Sequence, residues 1–333
     1  MVSIKKILLV VGLLAFLGVG IFVLASGRII SGYYLARIEV FASHQLLHMR
    51  EALFPNPPSA FAGTLVRKRV LSGETANFAV IGDYGLAGKP EADVANLVLG
   101  WKPDFIIALG DNNYDTGASA TIDINIGEYY HSYIYPYTGT YGPGAKTNKF
   151  FPVLGNHDWI STGAQPYENY FTLPGNKRYY DVVQGPVHFF MLDSDPNEPD
   201  GNSANSTQAL WLKNAMAAST SQWNIVVFHH APYSSGLHGS TVAMQWPFRA
   251  WGADAVLAGH DHTYERLTED GLPYFVDGIS GSTIYEFGDP LPGSQVRYNA
   301  DFGAMRVRAS DQLLNFEFIN RSGTVIDTFT LGG

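Results

Sequence analysis

Five apolar runs in this chain stop at the same kind of turn. In order they end in Gly82-Asp83-Tyr84-Gly85, Gly110-Asp111-Asn112-Asn113-Tyr114, Gly155-Asn156-His157-Asp158, Val227-Phe228-His229-His230 and Gly259-His260-Asp261-His262. A short run of Val, Ile, Phe, Leu and Ala bounded by such a turn reads as a buried strand. Each turn then sets Asp, Asn, Tyr or His just past a strand's carboxyl end, the edge where open α/β sheets bind ligands. Oxygen and imidazole donors gathered on one edge suit two metal ions about 3.5–4 Å apart, a standard device for hydrolysing phosphate esters.

Singly, these turns carry little. Gly-Asp after a strand is an ordinary turn. Tyr114 alone reads as a packed aromatic, and His230 alone as a hydrogen-bonded core histidine. Jointly they carry much more, because the ligand-type residues recur at strand ends in glycine-marked turns. Glycine removes the Cβ that would obstruct a tight approach to a metal site. Carboxylate, amide and phenolate oxygens with imidazole nitrogens suit Fe(III), Fe(II), Mn or Zn and argue against a soft metal.

Composition narrows the remaining choices. The chain has 333 residues, 46 % hydrophobic and 15 % charged, enough for one large domain with an appendage. It has no cysteine, which excludes disulfides, thiolate ligands and a Cys nucleophile. Its formal net charge is −9, and Lys and Arg are few and scattered, so nucleic acid is not an expected partner. An acidic protein still binds phosphate when metals supply the positive charge.

Lys5 and Lys6 precede an uncharged apolar run from Ile7 to about Ala25. Its length favours a membrane-spanning signal anchor over a cleaved signal peptide, and the lysines favour a cytoplasmic N-terminus. Either way the rest of the chain is expected outside the cytoplasm, membrane-anchored or secreted. The expected division is a signal segment over 1–27, a juxtamembrane linker over 28–75 and a catalytic domain over 76–333. Phe54-Pro55-Asn56-Pro57-Pro58 marks the linker.

From Ala76 the pattern predicts strands at Asn77–Ile81, Asp104–Leu109, Phe150–Leu154, Val187–Leu192, Asn224–Phe228 and Ala255–Ala258. Helices are predicted at Pro90–Leu99 and Gln208–Ala218, and in part over Thr241–Trp251. Leu272–Asp277, Phe302–Val307, Leu313–Ile319 and Val325–Leu331 read as an antiparallel face. The expected fold class is a mixed α/β, four-layer α/β/β/α sandwich with its ligands on loops at one edge. The long Asp115–Asn148 connection reads as functional or mobile.

The order Asp, Gly-Asp-x-x-Tyr, Gly-Asn-His-Asp, Val-x-x-His, Gly-His-x-His resembles the metallophosphoesterase superfamily, and specifically the purple acid phosphatases of the small, tartrate-resistant type. Tyr114 is the specific part of the resemblance, which runs from Ala76 to the end. The resemblance implies a dinuclear centre. Asp83, Asp111, Tyr114 and His262 would hold Fe(III), and Asp111 would bridge to a divalent Fe, Zn or Mn also held by Asn156, His230 and His260. It implies a metal-bound hydroxide as nucleophile and an acid phosphatase acting on small phosphorylated substrates. It also implies that His157 and His238 bind phosphate and protonate the leaving group.

His229 is expected to point to the opposite face from His230 and to be structural. Glu265 and Arg266 are expected to anchor loops, and Asp193 and Asp195 to be structural. Two other functions compete. One is a phosphodiesterase or nucleotide pyrophosphatase on the same metals, which Tyr114 disfavours. The other is a membrane-anchored binding protein with a dead site, which the complete ligand set disfavours. Oligomeric state is not legible in the sequence.

Overall fold

The structure, a computed structural model, describes residues 69–333. The expected signal segment, and the expected linker up to residue 68, lie outside the described residues. Among the described residues no helix is long and apolar enough to cross a membrane.

Two mixed sheets carry the fold. The first contains β1 (Thr75–Ile81), β2 (Phe105–Ala108), β3 (Phe150–Pro152), β11 (Gly303–Ser310), β12 (Leu313–Asn320) and β13 (Val325–Gly332). Its order is β13-β12-β11-β1-β2-β3, with β1, β2 and β3 parallel. The second contains β4 (Tyr180–Gln184), β5 (Val187–Met191), β6 (Trp223–His230), β7 (Ala255–Gly259), β8 (Tyr264–Glu269), β9 (Leu272–Asp277) and β10 (Ser294–Tyr298). Its order is β10-β8-β9-β7-β6-β5-β4, and β5, β6, β7 and β9 run parallel.

The inner faces of the sheets meet through aromatic pairs. Phe78 and Phe105 from the first sheet both pack edge-on against Phe189 from the second. Tyr264 stacks on Phe318 at 4.1 Å and Phe275 on Phe316 at 4.5 Å. Such pairs add roughly 0.5–1.5 kcal/mol each beyond the area they bury.

A helix covers each outer face. Lys89–Gly100 starts with Pro90 at its first turn and buries Val94, Ala95 and Val98. Thr207–Ala218 is capped by Ser206, whose side chain accepts from the Ala209 amide at 3.1 Å. Its Leu212 and Met216, one turn apart, join Phe190, Val226 and Phe228 under the second sheet.

Three strands escaped the sequence reading: β4, β8 and β10, all in the second sheet and all partly polar. Leu272–Asp277 also departs from expectation. It belongs to the second sheet, pairing parallel with β7 and antiparallel with β8, and not to the antiparallel face of the C-terminal strands. Its six residues are all buried, so no alternation betrayed its place.

The 115–148 connection is not structureless. Helical turns run from Asp123 to Tyr133. Asp123 gathers the Tyr137 and Tyr170 hydroxyls at 2.8 and 2.9 Å and the Thr140 amide at 3.0 Å.

Candidate metal centre

The carboxyl ends of β1, β2, β3, β6 and β7 converge on one cluster. Asp83 and Asp111 are fully buried beyond β1 and β2 in the left-handed region, with φ of 53° and 49°. His260, beyond β7, has φ of 72°. Non-glycine residues rarely adopt this conformation, and it persists where surrounding bonds over-determine it. Here the Asp83 amide donates to the Gly110 carbonyl at 3.2 Å, and the His260 amide donates to Asp83 Oδ2 at 2.9 Å. Glycines let the turns close. A Cβ on Gly155 would collide with the Asp111 carboxylate, and one on Gly85 with the Asn112 carbonyl.

Tyr114 reaches the middle of the cluster. Its hydroxyl lies 2.9 Å from Asp111 Oδ2, 3.1 Å from Asp83 Oδ1 and 3.1 Å from His262 Nε2. Asp83, Asp111 and His262 each bring one donor atom within 4.8 Å of the others. The far nitrogen of His262, Nδ1, is held by the Thr283 and Ser282 hydroxyls, which fixes the ring.

A second group adjoins the first through Asp111. His229 Nε2 lies 3.4 Å from Asp111 Oδ1, 3.1 Å from Asn156 Oδ1 and 3.3 Å from His260 Nδ1. The other His229 nitrogen faces the Leu109 carbonyl at 2.9 Å. This corrects the expectation for His229 and His230. His230 turns its Nδ1 to the Ser194 hydroxyl at 2.8 Å and lies tilted beside His260, ring centres 4.4 Å apart.

The period of the strand gives the reason. Trp223, Ile225 and Val227 face the first sheet, whereas Val226 and Phe228 face the outer helix. The alternation carries on through a one-residue register shift between Val227 and His230, with His229 on the inner side at the carboxylates and His230 at Ser194. Both faces of β6 are buried, so the sequence offered no alternation to choose by, and Val-x-x-His fits Val226-x-x-His229 as well as Val227-x-x-His230.

The structure thus brings together Asp83, Asp111, Tyr114, Asn156, His260 and His262, with His229 in place of His230. His157 and His238 stand beside them. His157 donates its amide to Asp111 Oδ1 at 2.9 Å and holds its ring 4.5 Å from that of Tyr114. Its Nδ1 is 2.6 Å from the Asp115 carbonyl, which leaves Nε2 toward the cluster, 3.9 Å from Asp111 Oδ2. His238 stacks on His260 at 4.2 Å, its amide donating to Asp261 Oδ1 at 2.7 Å.

Several residues support the cluster, among them Glu265, Arg266 and Asp193, for which anchoring or structural roles are expected from the sequence; Ser194 and Tyr285 carried no signal there. Asp158 accepts from the Gly155 and Asn112 amides and the Asn112 side chain, locking the third motif onto the second. Burial, then Asp111, push its carboxyl up to about 7. Ser194 orients His230, and Tyr285 stacks flat on His262 at 4.2 Å. Glu265 clamps the Ser235 amide and hydroxyl at 2.7 and 2.6 Å, and Arg266 pairs with Asp327 at 2.7 Å. Asp193 accepts from the Trp159 indole at 3.2 Å and the Asp195 amide at 2.9 Å.

The electrostatics of the cluster call for a cation. Burial, then Asp83 and Asp111, push the Tyr114 phenol well above its ordinary value. Burial alone would raise Asp111, but His229 and then His157 hold it well below the carboxylate range. Burial would lower His229, yet Asp111 and then Asp83 push it up to about 10. His260 is driven well below its ordinary value by burial and then by His229. Two buried carboxylates and a phenol meet imidazole nitrogens here, and this donor set fits hard or borderline metal ions, which invert the local pKa logic.

The calcineurin-like phosphoesterase family model matches residues 76–264, and the chain belongs to that family of metal-dependent phosphoester hydrolases. Within it the chain is similar to purple acid phosphatase 3 of Arabidopsis thaliana, 26 % identical with 76 % of each chain covered. It is also 26 % identical to tartrate-resistant acid phosphatase type 5 of Homo sapiens, covering 74 % of this chain and 83 % of that one. A purple acid phosphatase from yellow lupin (Lupinus luteus) seeds shares the fold, with a TM-score of 0.63 at 17 % identity over 78 % of this chain and 54 % of that one.

Proposed function

We propose that this chain hydrolyses phosphate monoesters at a dinuclear centre of the purple acid phosphatase kind. Asp83, Asp111, Tyr114 and His262 would hold Fe(III). Asp111, Asn156, His229 and His260 would hold a divalent Fe, Zn or Mn. The observation that carries this reading is the Tyr114 hydroxyl, within 3.1 Å of Asp83, Asp111 and His262. Bound there, such ions supply Lewis-acid polarisation of a phosphoryl group and acidify the attacking water.

The chain's own residues do the rest. Asp111 presents Oδ2 to the Tyr114 group and Oδ1 to the His229 group, which supports a ligand role toward both sites. His157 Nε2, steered by the Asp115 carbonyl, is poised to bind a phosphoryl oxygen or to hold the proton for the leaving alcohol. His238, stacked on His260, would be the second imidazole to bind a phosphoryl oxygen or serve the leaving group.

The test is elemental analysis with a visible spectrum, joined to turnover of p-nitrophenyl phosphate and of bis(p-nitrophenyl) phosphate. An iron-containing protein that prefers the monoester supports the reading. Preference for the diester transfers it to the phosphodiesterase alternative, and a metal-free, inactive protein leaves a binding protein on the same fold. The apolar run at Ile7–Ala25 supports an extracytoplasmic site for the domain, which protease access in intact cells tests.

A further inference from the structure

Among the described residues, the stretches of loop that carry His157, Ser194, His238 and Tyr285 hold no Lys or Arg. His157 brings in the loop after β3, Ser194 the loop after β5, His238 the loop after β6, and Tyr285 the loop after β9. Lys and Arg are absent from residues 150–176, 179–212, 214–248 and 267–296, and also from 103–145 after β2. The arginines of neighbouring elements are committed elsewhere. Arg178 pairs with Glu198 at 2.9 Å and Arg266 with Asp327 at 2.7 Å. Arg297 donates to the Gly288 carbonyl at 2.9 Å and lies over the Phe287 ring.

The same loops expose apolar side chains beside the two histidines. Ile160, three residues after His157, is 56 % exposed, and Leu237, next to His238, is 54 % exposed. The charges these loops do expose are acidic, among them Asp115, Glu286 and Asp289. Metal ions and imidazoles at the cluster can neutralise one phosphoryl group. A second phosphate, or a carboxylate on the alcohol, would sit against apolar and acidic groups with no counter-charge.

We propose that this centre selects phosphomonoesters whose alcohol is uncharged and apolar, and discriminates against polyanions such as nucleoside triphosphates and pyrophosphate. The proposal rests on the monoesterase reading above. The selectivity comes from the lack of Lys and Arg in these stretches among the described residues and from the exposed Ile160 and Leu237 near His157 and His238 in the chain.

The experiment compares kcat/KM for phenyl phosphate, ATP and pyrophosphate on the metal-loaded full chain. Calorimetric binding of phenylphosphonate and methylenediphosphonate gives a readout independent of turnover. Phenyl phosphate should lead both polyanions by about tenfold or more, the scale on which a local field changes encounter, and phenylphosphonate should bind more tightly than the diphosphonate. Ile160→Lys and Leu237→Lys should each narrow the gap for ATP several-fold. Polyanions turned over or bound as well as the aryl compounds would overturn the proposal while leaving the phosphatase reading intact. No turnover of any ester would instead remove that reading, and this proposal with it.

Discussion

His229 Nε2 lies 3.4 Å from Asp111 Oδ1, whereas the adjacent His230 faces Ser194. One step along β6 therefore decides which imidazole joins the cluster. His229→Ala should lose the divalent ion and most activity. His230→Ala should keep both metals and lose less activity. Elemental analysis of the two purified variants checks this, and a full metal complement in His229→Ala would return the ligand role to His230.

Tyr114 makes the cluster distinctive. A phenolate on Fe(III) absorbs visible light by charge transfer to the metal. The oxidised wild type should show a broad visible band, and Tyr114→Phe should abolish it with the fold intact by circular dichroism. An iron-loaded, active wild type without such a band would exclude Tyr114 as a ligand.

His157 touches the cluster only through its amide and the edge of its ring. His157→Ala should keep both metals and lower kcat by about 10²–10⁴ if it carries the leaving-group proton. His157→Asn, which keeps a donor but cannot exchange the proton, should recover KM more than kcat. Wild-type kcat in both variants would remove His157 from the chemistry.

Glu91 is buried in the first turn of the Lys89–Gly100 helix. Burial, then Glu128, push its carboxyl well above the ordinary range, with the Leu86 amide opposing. The unfolded chain therefore releases this proton at lower pH than the folded one, so Glu91 costs stability as pH rises above the unfolded value of about 4. Glu91→Gln should raise the melting temperature at pH 7, and the gain should shrink toward pH 4. A constant difference across that range in thermal scans would show that the carboxyl does not titrate with folding.

The candidate metal edge was legible because its strands are short and apolar and, apart from β6, are closed by glycine. β1, β2, β3, β6 and β7 all begin or end within a few residues of expectation. The edge strands were not. Tyr180–Gln184 and Ser294–Tyr298 are mostly half-buried, each with one exposed position, over five residues, too short a stretch to show a period. The exchange of His229 for His230 has a different cause, since a strand buried on both faces hides its parity. Ser194, Thr283 and Tyr285 act through tertiary contacts alone, which no local pattern announces.

The two sheets divide the donor set by chemistry. Carboxylate, phenol and amide oxygens at Asp83, Asp111, Tyr114 and Asn156 come from the first sheet. The imidazoles of His229, His260 and His262 come from the second. Each ion would draw ligands from both halves. Metal would therefore act as a clasp across the seam between the sheets, and its binding energy would count toward their docking.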